Sequence, residues 1–147
     1  MSAEELWKLS GIKGTYEAWA FGEAQDKLAA LVAAGVKTAT SSSYILYEKE
    51  QEPLPEAGDY SVILNSRDEA VCIIKTVKVT VLPYDQVPAE FAYKEGEGDR
   101  SLNYWREVHE AFFANELAEA GLAFSEDMLV VCEEFEVVYS PETGQIR

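Results

Sequence analysis

Two apolar runs, YSVILN at 60–65 and AVCIIKTVKVTVL at 70–82, flank the short polar spacer SRDE. Both are dense in β-branched residues, and the spacer is turn-like, so together they read as a hairpin with a long second strand. Within that strand Lys75 and Lys78 are an odd number of positions apart. A regular strand sends them to opposite faces, so one of them marks a solvated stretch. A further β-rich run, MLVVCEEFEVVY at 128–139, reads as the final strand.

Around this hairpin the periodicity changes. Ser2 and Glu5 have capping-box spacing, which predicts a short helix from Ala3 to about Leu9. Gly11 and Gly14 then interrupt the chain, and TYEAWAF at 15–21 is a short strand or an ordered lead-in. EAQDKLAALVAAG at 23–35 is a helix, with Leu28, Leu31 and Val32 on one face and Gly35 in the C-cap position. The stretch YEKEQEPLPEAGD at 47–59 reads as a loop, as does 83–99 apart from a helical turn. SLNYWREVHEAFFANELAEAG at 101–121 is the second clear helix, with Leu102, Trp105, His109, Phe112 and Phe113 on one broad face. No internal repeat or low-complexity tract is present. Helices interspersed among short strands, with a hairpin in the middle, indicate an α+β fold: a small curved sheet or barrel flanked by helices.

The length of 147 residues suits one domain, expected over 1–139 with a loose C-terminal tail at 140–147. With 48% hydrophobic residues the chain has the material for a core without disulfide staples. Cys72 and Cys132 each lie inside an apolar run and read as buried, reduced thiols, which suits a cytoplasmic protein. Two thiols alone do not make a structural zinc site. No run approaches the roughly 20 apolar residues of a membrane span, and the acidic start MSAEEL has no signal-peptide character. Twelve basic against 27 acidic residues give a formal net charge of −15. That opposes binding along an extended nucleic acid, DNA included, because phosphate attraction supplies most non-specific affinity.

The chemistry-bearing residues are few. A single histidine excludes two-histidine acid–base schemes and multi-histidine metal sites. His109, on the apolar helix face, reads as a partly buried structural histidine. No glycine-rich phosphate loop and no nucleophile elbow is present. Two constellations remain. In GVKTATSSSY, 35–44, Lys37 heads six small residues, five of them hydroxylated. In EGEGDRS, 95–101, three carboxylates alternate with glycines and meet Arg100. Gly96 and Gly98 permit positive φ and close backbone approach. Asp99 or Ser101 is placed to cap the following helix. The carboxylates lack EF-hand spacing, so no metal is assigned.

These segments resemble the ASCH domain family. GVKTAT is similar to its Gly-x-Lys-x-x-Thr core, and the likeness to the larger bacterial ASCH proteins extends over 20–42, 58–87 and 90–113. The combination with EGEGDRSLNYWR is the specific part. The resemblance implies a PUA-like β-barrel surrounded by helices and an RNA-related role: binding of a nucleoside or short RNA element, or hydrolysis of an acylated cytidine nucleoside or of RNA. It implies no cofactor. A lysine, a threonine and a glutamate are the family's catalytic set. The first two carry over onto Lys37 and Thr40; Glu95 and Glu97 are both candidates for the third, with Glu97 preferred. The family's next pattern position is arginine, where this chain has Ser42. Arg100 or Arg106 is the candidate to replace that cation in space. Thr38, Ser42, Glu95, Asp99, Arg100, Tyr104 and Arg106 are the candidate substrate-contacting residues, with Tyr104 or Trp19 available to stack on a base. The expected mechanism has a near-neutral Lys37 taking the proton of Thr40. Because Lys37 and Thr40 are three apart, their cooperation requires the chain to bend before a regular strand begins. The rival readings are a non-catalytic RNA-binding module and an amidohydrolase of a small non-nucleoside metabolite.

Overall fold

The computed structural model describes residues 1–141 and 144–145. The chain runs α1 (Ala3–Ser10), β1 (Glu17–Trp19), α2 (Gln25–Ala33), β2 (Ala39–Ser43), α3 (Tyr44–Glu50), β3 (Tyr60–Leu64) and β4 (Ala70–Pro83). A 3-10 turn (Tyr84–Gln86), α4 (Ala89–Glu95), α5 (Leu102–Glu119), β5 (Leu129–Ser140) and β6 (Gly144–Gln145) complete it. The fold is α+β: one curled sheet in the order β1-β3-β4-β5-β2, with β6 on the end of β5. Half of the tail expected to be loose, residues 142, 143, 146 and 147, lies outside the described residues; within them, Gly144 pairs with Ser140 and Gln145 with Tyr139.

The hairpin of β3 and β4 forms as expected, and the far half of β4 continues alongside β5. The expected opposition of Lys75 and Lys78 does not occur. The register shifts between Thr76 and Lys78, so Lys75 stands opposite Glu136 and Lys78 opposite Glu134. A bulge at the exposed Val77 returns both lysines to one face. Two further expectations are corrected. Residues 44–50, whose last four fall within the expected loop, are helix α3, and 89–95 form two turns of helix, α4, entered from Pro88. The first is short and buries none of its residues, and the second buries only Phe91, Ala92 and Glu95, so neither carries a long amphipathic stripe.

Other local features follow from their residues. Ser2 and Glu5 close the capping box of α1. Ser101 caps α5 by accepting from the Tyr104 amide, and Asp99 accepts from the Ser101 amide.

Three apolar clusters hold the helices to the sheet. Leu6 of α1 packs on Val62, Ile73 and Val138. Leu28, Ala29 and Val32 of α2 pack on Ile63, Cys72, Ile74 and Phe135. Phe91 of α4, with Trp105 and Phe113 of α5, packs on Ala39, Val130 and Cys132. The two cysteines are thus buried in separate clusters, free, with thiols pushed up to about 12 by burial. Among the described residues no helix is long and apolar enough to cross a membrane.

Candidate functional site

β2 is an edge strand of hydroxyl residues, formed because β5 supplies its hydrogen-bond partners rather than because serine favours strands. The chain reaches it through a bend. Gly35 takes a left-handed φ of 78° just past α2. The amides of Val36 and Lys37 both donate to the Leu31 carbonyl, and the regular strand starts only at Ala39. That is the bend which Lys37 and Thr40 require. Thr38 then ties the segment to α4, its amide donating to the Lys94 carbonyl at 2.7 Å.

The bend turns Lys37 inward. Its side chain is 1% exposed, and its amine lies 5.3 Å from the centre of the Phe21 ring. Nζ donates to Glu95 Oε1 at 2.9 Å, to Glu97 Oε2 at 2.7 Å and to the Glu95 carbonyl at 3.4 Å. Both glutamates stand at the end of α4 or just past it. Gly96 explains how they come so close. A Cβ there would sit 2.5 Å from the Val36 carbonyl oxygen, and its φ is 72°, so only glycine allows α4 to end against the Lys37 segment. Gly98, at φ 58°, lies beneath the Tyr104 ring, 2.4 Å from where its own Cβ would be. The close approach allowed by these glycines is between parts of the chain itself.

Glu95 is the buried member, 2% exposed. Its second oxygen accepts from Ser41 Oγ at 2.6 Å and from Trp105 Nε1 at 2.7 Å, and His109 Nε2 lies 3.4 Å away. His109 is anchored through Nδ1, which donates to the Trp105 carbonyl at 2.8 Å, and its ring stacks on Trp105. Burial pushes the Glu95 carboxyl up, but Lys37, then His109, Ser41 and Trp105, outweigh it and hold the group below its ordinary value. Burial likewise pulls the Lys37 amine down, and the Glu95 and Glu97 carboxylates outweigh that and hold it above the ordinary lysine value. The amine is therefore an ammonium ion, not the near-neutral base expected from the sequence. Glu97 is the member that reaches water, with its side chain 18% exposed.

The other predicted residues separate into groups. No hydrogen bond joins Thr40 to Lys37 among the described residues. Thr40 stands opposite Glu133, on the face away from Ser41. Glu133 accepts from Thr76 at 2.6 Å, and burial holds its carboxyl above the ordinary value. Ser42 pairs with the Tyr47 hydroxyl at 2.8 Å. Arg100 lies 3.6 Å from the centre of the Tyr93 ring and donates to the Tyr93 and Val36 carbonyls, so its fork braces the loop behind Glu97. Asp99 and Arg106 are exposed, away from the amine's contacts, and Trp19 packs edge-on against Phe21. Ser41, Trp105 and His109 were missed as members of the cluster. The available signal was Trp105 and His109 one helical turn apart on a buried face, since an indole N–H inside a core requires an acceptor.

A cavity of about 330 Å³, lined in part by Gly35, Lys37, Thr38, Phe135 and Val137, adjoins the amine's segment. A larger groove of about 650 Å³ along α5, edged by Glu107, Glu116 and Glu119, includes none of the predicted site residues. Of Lys37 and its two glutamate partners, only Lys37 borders the smaller cavity; neither Glu95 nor Glu97 lines it.

The curled half-barrel sheet with its flanking helices is an α+β fold of the PUA-like class. The family model described as ASCH domain matches residues 17–139. Two crystal structures are close in fold. The ASCH domain from Lactobacillus crispatus JV V101 has a TM-score of 0.86 at 34% identity, over 91% of this chain and 92% of that one. A protein from Enterococcus faecalis V583 has a TM-score of 0.84 at 41% identity, over 92% and 86%. No curated protein matches the chain. The chain belongs to the ASCH domain family.

Proposed function

We propose that the protein binds a nucleoside or a short RNA element beside Lys37 and hydrolyses an acyl group carried on the base. The observation carrying this reading is a buried ammonium held 2.7 Å from a carboxylate that reaches solvent. An ammonium in a low-dielectric setting stabilises the negative oxygen that forms when an amide carbonyl is attacked. A partly exposed carboxylate beside it carries protons. In the proposed reaction Glu97 takes a proton from water as the water oxygen bonds to the acyl carbon. Lys37 holds the resulting oxyanion. The C–N bond then breaks, and the amine nitrogen leaves with the proton from Glu97. Thr40, with no base in hydrogen-bond contact among the described residues, carries no step. Tyr104, against Gly98, presents a ring for the base.

The formal charge of −15 favours a small ligand over a long phosphate backbone. Chromatographic assay of N-acylated cytidine hydrolysis tests the reading. Lys37→Ala and Glu97→Gln are expected to lose about 100-fold or more, while Thr40→Ala keeps most of its activity. Full activity in both of the first two variants rejects the mechanism. If short RNA binds with a steep loss of affinity as salt rises, the binding-module reading takes its place.

A further inference from the structure

A lysine ammonium carries three donors, and every one of those on Lys37 has an acceptor: a Glu95 carboxylate oxygen, the Glu95 carbonyl and a Glu97 carboxylate oxygen. A ligand that reaches the amine must displace one of them. Glu95 is poorly suited to leave. It is buried, and its second oxygen is held by Ser41 and Trp105 with His109 close by. The Glu97 carboxylate, by contrast, accepts from Lys37 alone among the described residues and is partly in water. Its backbone is pinned on both sides, by Gly96 against Val36 and by Gly98 under Tyr104. Its departure is therefore a side-chain rotation rather than a loop movement.

We infer that the Lys37 ammonium is a binding site for a carbonyl or carboxylate oxygen, occupied by Glu97 in the free protein and vacated when a ligand arrives. Glu95 is the fixed positioning residue of this site, and Glu97 is its exchangeable occupant. The inference deepens the reading of Lys37 and Glu97 as the reactive pair, but its geometry does not depend on which molecule is hydrolysed. It gives Glu97 two opposed effects. The side chain competes with the ligand in the ground state and is needed for proton transfer afterwards. Removing it tightens binding while turnover falls, a separation that a merely structural glutamate does not produce.

Acetate is the probe, since it is a free copy of the missing carboxylate. Thermal melting and ¹³C-lysine NMR are followed as acetate is added to wild type, Glu97→Ala and Glu97→Ser, with circular dichroism confirming the fold. The expected result is saturable stabilisation of both variants, with a shift in the Lys37 resonance, at acetate concentrations about tenfold below any effect on wild type. Equal response in all three proteins, or in none, overturns the inference. So does failure of both variants to fold, because it makes Glu97 a structural partner. Acetate binding by the variants with no acyl-nucleoside hydrolysis by wild type keeps the masked site and removes the nucleoside. Hydrolysis by wild type with no acetate effect does the converse.

Discussion

At the scale of single residues, the hydrogen bonds to Glu95 decide what the cluster tolerates. Trp105→Phe keeps the aromatic packing and removes the indole N–H from a buried carboxylate. The expected cost is about 1–3 kcal/mol, read from urea unfolding. Gly96→Ala places a methyl against the Val36 carbonyl at positive φ. The left-handed backbone alone costs about 1–2 kcal/mol, so the variant is expected to lose more than that. The carboxyl of Glu95 lies below its ordinary 4.5 in the folded protein, so the unfolded chain binds its proton more readily. Its contribution to stability is complete above that ordinary value and drains as pH falls through the lower folded one. Lys37 behaves in the opposite sense. Held above 10.5, it contributes fully below that value and loses the contribution as pH rises through the higher folded one. Melting temperature against pH checks both limits, and Glu95→Gln is expected to flatten the acid side. Of the cluster, Lys37 and the two candidate glutamates, Glu95 and Glu97, were legible through the resemblance. The roles of Ser41 and Trp105 were not, because nothing in a lone serine or tryptophan says that a carboxylate from another helix ends beside it.

At the scale of elements, β4 and β5 set the register for everything else. Thr76, paired opposite Phe135, shares a face with Glu133 and donates to it, and burial holds that carboxyl above its ordinary value. A group raised in this way binds protons more readily in the folded protein and opposes folding when ionised. Glu133→Gln, which keeps an acceptor for Thr76, is therefore expected to raise the melting temperature at neutral pH. That gain should shrink as pH falls and the wild-type carboxyl protonates. The strong hairpin, α2, α5 and the last strand were all readable, because each carries a long period of its own. The loop assigned across 47–59 hid the end of α3, whose seven residues, Tyr44–Glu50, bury none of their side chains. The two turns of α4 were hidden between Pro88 and the glycines. Short helices of this kind take their stability from contacts made elsewhere in the fold.

Over the whole molecule, charge dominates. An excess of fifteen negative charges repels itself in the folded state. Moderate salt screens that repulsion and is expected to raise the melting temperature above its low-salt value, as differential scanning fluorimetry would report. A melting temperature that falls over the same range rejects this account. The α+β class and the curled sheet with its flanking helices were available from the order of elements. The parallel pairing of β1 with β3 was not, since it joins segments separated by α2, β2 and α3 and leaves no local mark in either.

The route by which β2 finds its place also has a consequence for the nascent chain. Lys37 and Glu95 are 58 positions apart, and the partner strand of β2 lies further on still. The segment must wait, unpaired, while most of the polypeptide is synthesised. An apolar ribbon held open for that interval is an invitation to self-association. A ribbon of threonine and serine is wetted by water on both sides and adheres to little, which is a kinetic reason for an edge built from alcohols.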